Sequence, residues 1–561
     1  MSAKQSYLSS ANFGYGAVVA TTQASINAMI KEYLYSSTQP EALICYVADA
    51  EGNPAAIDYQ TLLTQTDGTD PFSIPANADP ATDPGIANLQ KARFMVGFKA
   101  TLGIPPGYAL NAIPDFVTLG ADATAVTFRL MCSEFIVVSY TPSGGYSPAQ
   151  WMWQSQPPGA AWMFTSKVNM RQMAVAPGAA LPAAVAAKAA ATGGAFSIQK
   201  LLFDLDNAAL ETIPAISNVD PSSNLYLVLE KDFIGKYFAS VKEKGGDLLG
   251  YVLTPSTAPP STLTVTNLNY QVSPLLASNG QVLQNPTAQE MGAATLNYLC
   301  AVNGAKLPAP ANFGWNWMET PDLANSHGVI AINRDTFASY FRTKLDQYVP
   351  SRCFKPSTTV NLDSASAPVY HWGVTGGQAP TAVLAPPAGA TILEYSYNGS
   401  SYDQAGLDGD IGQSTFSTAF TLTVTFAGSV ITITQHAVIY VKIRHLASTV
   451  DGNVVDKTIT DSYTMTVDAS GRLAAVLASK TADNSVDPKT NWFIDAFTGL
   501  NDLSSSVGDW SRGFESTALK DIPVSVVQDF VFPGGKTFLF KDAMFSAYQD
   551  LVAHITYAST N

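Results

Sequence analysis

A strand that runs straight into a helix with one apolar face most constrains this chain, because the pattern occurs three times. In FGYGAVVATTQASINAMIKEYLYS, Phe13 to Ala20 reads as a strand, and Thr21 and Thr22 offer hydroxyls that take an unpaired amide at a helix start. Ile26, Met29, Ile30, Tyr33 and Leu34 then recur at helical spacing on one side, with Asn27, Lys31 and Glu32 elsewhere on the helix. SNLYLVLEKDFIGKYFASVK gives a strand at Leu225–Leu229 and a helix carrying Phe233, Tyr237, Phe238 and Val241. HGVIAINRDTFASYFRTKLDQYV gives a strand at Val329–Ile332 and a helix carrying Phe337, Tyr340, Phe341, Leu345 and Tyr348. The units share a pattern and not a sequence.

Between and after these units the chain reads mainly as strand. VTFRLMCSEFIVVSY (126–140) is β-branched and aromatic, as a long or bent strand is. TLTVTF, GSVITIT and AVIYVKI alternate apolar with polar residues, as a sheet with one wet face does. Residues 51–125 and 356–414 read as loop-rich, residues 285–302 as helical, and the Ala-rich stretch 174–195 as a loop. A narrow apolar stripe from Phe493 to Phe514 predicts a further long helix, and VSVVQDFVF, KTFLF and LVAHITY three closing strands. The expected class is α+β and β-rich: long curved antiparallel sheets wrapping long amphipathic helices. The organisation expected is a first half, 1–255, holding the Ala-rich loop, and a second half, 256–561, holding the main antiparallel sheet and the 492–514 helix; one continuous elongated domain is the alternative.

The charge excludes some partners. Thirty basic against forty-four acidic residues leave −14, opposite in sign to the basic footprint that releases counterions from nucleic acid, so no nucleic-acid partner is expected. No stretch approaches the ~18 apolar residues of a spanning helix, and the N-terminus has no apolar signal segment. The chain is therefore expected to be soluble and cytoplasmic at synthesis, or released without a classical signal peptide. Cys45, Cys132, Cys300 and Cys353 are far apart and form no CxxC pair, so a zinc site is not indicated, and buried free thiols are the simpler reading.

Motifs for chemistry are weak. The five histidines, His327, His371, His436, His445 and His554, have no HExxH neighbour, and no GxSxG elbow occurs. PGGKT (533–537) has Phe530 where a phosphate loop needs its first glycine, and reads as a hairpin turn. Asp204–Asp206 and Asp408–Asp410 are DxD pairs without the spacing of an EF-hand. Trp151, Trp153 and Trp162 flank a Pro-Pro-Gly turn and suit either packing or sugar stacking. No catalytic residue, metal or cofactor is assigned, apart from a bound lipid in an apolar groove.

FGYGAVVATTQASINAMIKEYL near the start, HGVIAINRDTFASYF in the middle and FVFPGGKTFLFKDAMFSAYQDLVAHITY at the end together resemble the clostridial neurotoxin-cluster proteins of the OrfX group and their forty-seven-kilodalton relative. That group resembles the tubular lipid-binding superfamily. The resemblance covers about half the chain and implies a curved sheet wrapped around a long helix, with lipid in the groove and no fixed catalytic residues. The Ala-rich insert and the long Pro/Gly/Ser-rich centre depart from the clostridial pattern. The expectation is a non-enzymatic lipid-binding or membrane-interacting protein, with Ile26, Met29, Ile30, Tyr33, Tyr237, Phe238, Phe337, Tyr340 and Phe341 lining the groove. A component of a bacterial toxin, insecticidal or of the neurotoxin-cluster kind, acting through a protein partner from the same gene cluster, is the alternative. A carbohydrate-binding or hydrolytic module using the tryptophan segment and acidic loops is the third.

Overall fold

The computed structural model describes the chain apart from residue 1, 37–40, 109–112, 121–124, 160–161, most of 177–195, 205–208, 213–223, 230–233, 244–247, 256–262, 264, 387–388, 487–529 save Val507, 532–537 and 558–561. The expected 492–514 helix and PGGKT turn, and most of the Ala-rich loop, lie outside the described residues.

A central antiparallel sheet is built on β1 (Ala17–Thr22), flanked by β13 (Thr295–Val302) and β14 (Gly328–Ile332). β12 (Val265–Ser273) pairs with β13, and β26 (Leu551–Tyr557) pairs with β14. β24 (Phe538–Phe540) and β25 (Met544–Phe545) join β26. Both faces of this sheet are buried. Ala17, Val19, Ile330 and Ile332 face the main apolar cluster, while Val18, Ala20, Val329 and Ala331 lie under Phe13, Phe313, Trp315 and Trp317. The first and third strand–helix units are thus neighbours: β1 pairs antiparallel with β14, Ala17 opposite Ile332 and Thr21 opposite Gly328. Gly328 is required there, since a Cβ would stand 2.2 Å from the Ala20 carbonyl oxygen.

A second sheet, of eleven strands among the described residues, takes most of the first half. Its main path runs β23 (Phe530–Val531), β11 (Leu248–Pro255), β9 (Phe196–Phe203), β8 (Met163–Ala174), β6 (Ala125–Thr141), β4 (Phe94–Leu102), β2 (Glu41–Ala48) and β3 (Pro54–Ile57). β10 (Ala209–Thr212) joins β8, and β5 (Val117–Leu119) and β7 (Gln150–Ser155) join β6. A third, six-stranded sheet is a meander: β17 (Thr381–Leu384), β18 (Thr391–Ala405), β19 (Gly412–Ala427), β20 (Val430–His445), β21 (Ser448–Val467) and β22 (Leu473–Asp483). The hairpin of β15 (Lys355–Leu362) and β16 (Pro368–Thr375) packs beside it. Along β19 and β20 buried residues alternate with half-buried Thr and other polar residues, as their sequence alternation predicts. No helix among the described residues is long and apolar enough to cross a membrane.

Three local expectations are corrected. Residues 225–229 open the second unit as a helix, Asn224–Val228, because LYLVL is apolar throughout and periodicity alone cannot separate a buried strand from a helix. Residues 285–302 hold only a short helix, Ala288–Met291, closed by the Thr287–Glu290 capping box; Thr295–Val302 is β13, wholly buried and paired on both edges, so long-range pairing overrides a weak helical spacing. Residues 356–414 are not mainly loop but β15 to β18, polar because much of this sheetwork faces water.

Candidate functional site

The apolar helix faces form the candidate site. The Gln23–Ser36 helix begins as its threonines predict, with Thr22 Oγ1 accepting from the Ser25 amide at 3.1 Å. Its polar side lies along β5. The Asn27 side-chain amide donates to the Val117 carbonyl at 2.8 Å, the Val117 amide donates back to Asn27 Oδ1 at 2.9 Å, and the Leu119 amide donates to Gln23 Oε1 at 2.8 Å. A buried side chain here substitutes for a neighbouring strand. Sequence reading missed this role of Asn27, for which a lone Asn in mid-helix was the only signal. Ile26 and Met29 are buried, Ile30 is half-buried at the margin of the cluster, and the Tyr33 side chain lies outside the described residues.

The Ile234–Glu243 helix buries Tyr237 and Phe238 against the second sheet. Tyr237 Oη stands 3.8 Å from Cys132 Sγ on β6, and Lys236 Nζ lies 5.3 Å from the centre of the Tyr46 ring on β2. Burial pushes the Cys132 thiol up to about 12, and Cys45 and Cys353 likewise to about 12; Cys300 is raised by the same cause. These thiols are free, buried and protonated, as small apolar side chains are.

The Arg334–Tyr348 helix is clasped most completely. Asn333 Oδ1 caps it, accepting from the Asp335 amide at 2.8 Å. Phe337, Tyr340 and Phe341 are fully buried, with Phe337 and Phe341 ring centres 5.4 and 5.9 Å from Phe426 on β19, which stacks on Phe545 on β25 at 4.5 Å. Tyr395 on β18 donates to Asp346 Oδ1 at 2.7 Å, and Tyr348 donates to Gln435 Oε1 on β20 at 3.1 Å. The predicted residues with described side chains thus belong to one contiguous apolar cluster, but three different sets of strands cover them.

Beneath this helix lies a buried polar clasp that sequence reading did not find. Asp550 Oδ2 accepts from Ser6 Oγ and from the Leu8 amide, each at 2.7 Å, while Oδ1 accepts from the Arg334 amide at 2.9 Å. Ser546 Oγ donates to the Ser6 carbonyl at 2.7 Å, and Tyr7 stacks on Tyr548 at 4.1 Å. The guanidinium of Arg334, itself buried, donates to the carbonyls of Ala385, Pro386 and Thr391 and to Asp335. One carboxylate therefore ties the N-terminal segment, the C-terminal segment and a helix start together.

His436, His327 and His554 serve contacts between strands and their flanking turns. His436 Nε2 stands 2.8 Å from Asp456, and His327 Nδ1 stands 2.9 Å from Thr556 Oγ1. His554 Nδ1 meets Asp542 at 2.9 Å, and Nε2 lies 3.9 Å from Asp322. Its hydrogen bond to Asp542, reinforced by both carboxylates, holds the imidazole above its ordinary range, against burial. A raised imidazole stabilises the folded chain fully below the unfolded value of about 6.5 and loses that contribution as pH rises through the folded value. We expect the wild-type melting temperature to fall between about pH 6 and pH 8 by more than that of His554→Gln, measured by thermal denaturation. Half-buried Trp151 and Trp153 donate their indole N–H groups to the Pro75 and Phe72 carbonyls, and Trp162 packs edge-on against Phe135. Among the described residues no three His, Cys, Asp or Glu side chains converge as a metal site. Asp206 lies outside the described residues.

No protein-family model matches the chain, and no curated protein matches it. Among solved structures, P47 of Clostridium botulinum E1 aligns with 96% of this chain and 98% of its own at 9% identity and a TM-score of 0.41. A lipopolysaccharide binding protein aligns with 97% of this chain and 99% of its own at 10% identity and a TM-score of 0.27.

Proposed function

We propose that the chain is a non-enzymatic lipid-handling protein of the tubular lipid-binding kind, with an acyl chain laid against the first long helix at Ile26, Met29 and Ile30. The observation that carries the reading is the contrast between helices. Phe337 and Phe341 are sealed by Phe426, and Tyr237 and Phe238 are buried against the second sheet, whereas the apolar face of the first helix reaches the margin of the cluster at half-buried Ile30. Burial holds the Cys45, Cys132, Cys300 and Cys353 thiols protonated, so none of the four is poised as a nucleophile. Each CH₂ leaving water contributes roughly 0.8 kcal/mol, so one long acyl chain binds usefully without a charge pair.

The test is Ile30→Asp. Ile30 is half-buried, so the variant should fold, with an unchanged circular dichroism spectrum, and lose the lipid recovered by organic extraction of the wild type. Lipid retained by the folded variant rejects this groove. A second reading, a component of a bacterial toxin acting through a protein partner, is favoured by the third helix, whose aromatic face the chain fills by itself. A protein without extractable lipid that captures the product of a neighbouring gene would establish it.

A further inference from the structure

We propose that three neighbouring turns at one end of the six-stranded sheet form a membrane-contacting tip, which places leucine side chains in a lipid surface with zwitterionic headgroups. The proposal rests on the lipid reading for its ligand class and adds a surface that an interior groove does not require.

The turns belong to three hairpins. β18 and β19 are joined around Leu407–Gly409, β20 and β21 through Leu446, and β15 and β16 through the loop after Leu362. Register and contacts bring them together. Gly412 pairs with His445, the Leu446 amide donates to the Ile411 carbonyl at 3.0 Å, and Tyr370 donates to the Arg444 carbonyl at 2.9 Å. A Cβ on Gly412 would lie 2.8 Å from Cβ of Pro368, the residue paired with Leu362. At this shared end Leu407 is 87% exposed, Leu446 56% and Leu362 44%.

These leucines add little to the fold. Leu446 sits at φ +54°, in the left-handed region that glycine or asparagine occupies at less cost. Leu407 lies between Gly406 at φ +92° and Asp408 at φ +55°, a backbone path that turns its side chain out to water. A strained backbone that displays an apolar side chain is costly twice over, and the cost is recovered where that side chain meets another apolar phase.

A fluid phase fits better than a protein surface. Side chains standing on separate turns offer no groove for a partner to match, and lipid needs no matching shape. Behind the tip, two cross-strand rows form a polar band on the outer face: Tyr402, Thr415 and Lys442, then Gln404, Gln413 and Arg444. Tyr402 is 56% exposed, and aromatic and long basic side chains at this depth suit the headgroup layer. Asp363, Asp408 and Asp410 are exposed on the turns themselves and set the headgroup preference: carboxylates beside the leucines repel an anionic surface.

The experiment is vesicle flotation of the full chain with phosphatidylcholine alone and with added phosphatidylserine. The wild type should float with phosphatidylcholine, and phosphatidylserine should weaken it. Leu407→Asp should reduce partitioning about tenfold or more. Leu446→Gly should reduce partitioning while raising or keeping the melting temperature, an outcome that a packing role for Leu446 would reverse. A folded Leu362→Ser, Leu407→Ser, Leu446→Ser triple variant that floats like the wild type overturns the proposal. So does a wild type that carries extracted lipid yet never floats, which leaves the interior groove standing. Loss of flotation in the tip variants alongside a lipid-free wild type supports the tip and removes the groove.

Discussion

Phe337→Ala should lower the free energy of unfolding by about 3–5 kcal/mol, read as a shift in the chemical denaturation midpoint with little change in slope. The magnitude follows from position. The ring is fully buried and touches Tyr340 and Phe341 on its own helix, Phe426 on β19 and Phe545 on β25, so one side chain joins a helix to two sheets. Its removal forfeits apolar burial and leaves a cavity that two stiff sheets cannot close. A residue lining an open groove would behave differently, since its ring would already face solvent or a mobile ligand. A loss below about 1 kcal/mol would therefore return the third helix to the list of groove-lining elements.

Asp550→Asn should destabilise by about 2–3 kcal/mol and release the N-terminal segment first. Both carboxylate oxygens accept main-chain N–H groups, Leu8 on one side and Arg334 on the other. An amide can accept on only one side, so its NH₂ meets a donor on the other and a buried N–H is left without an acceptor. Hydrogen exchange should show protection lost around Ser6 and Leu8 before the sheets open. The pH dependence has a definite sign. Burial pushes the Asp550 carboxyl up to about 6, with the hydrogen bonds from Leu8, Ser6 and Arg334 opposing and Asp335 adding to the rise. A carboxyl raised above its unfolded value of about 3.9 adds stability as the pH falls through about 6, and that gain is lost as the pH rises. The wild type should gain stability from this group between about pH 7 and pH 4, and Asp550→Asn should lack that gain.

What could be read from the sequence and what could not follows the range of the interactions. The Thr22 cap, the Phe337–Tyr340–Phe341 stripe and the alternation of β19 and β20 are set by neighbours a few residues apart. β13 was misread because its character comes from β12 and β1, far away in the chain. Asp550 is separated from Leu8 by 542 positions and from Arg334 by 216, and nothing local marks it as a hub. Among the predicted groove residues, spacing identified the apolar side of each helix. It could not say whether the chain or a ligand covers that side, because both produce the same stripe. Nothing in the sequence marks Leu407 or Leu446, since exposure and a positive φ belong to the folded chain alone.

The most direct test of the lipid-handling reading is native mass spectrometry of the purified full chain, followed by organic extraction and lipid analysis. A phospholipid or fatty acid at near-unit stoichiometry, absent from Ile30→Asp, is the predicted result. A folded wild type that flies at its bare polypeptide mass and yields no lipid on extraction would contradict it.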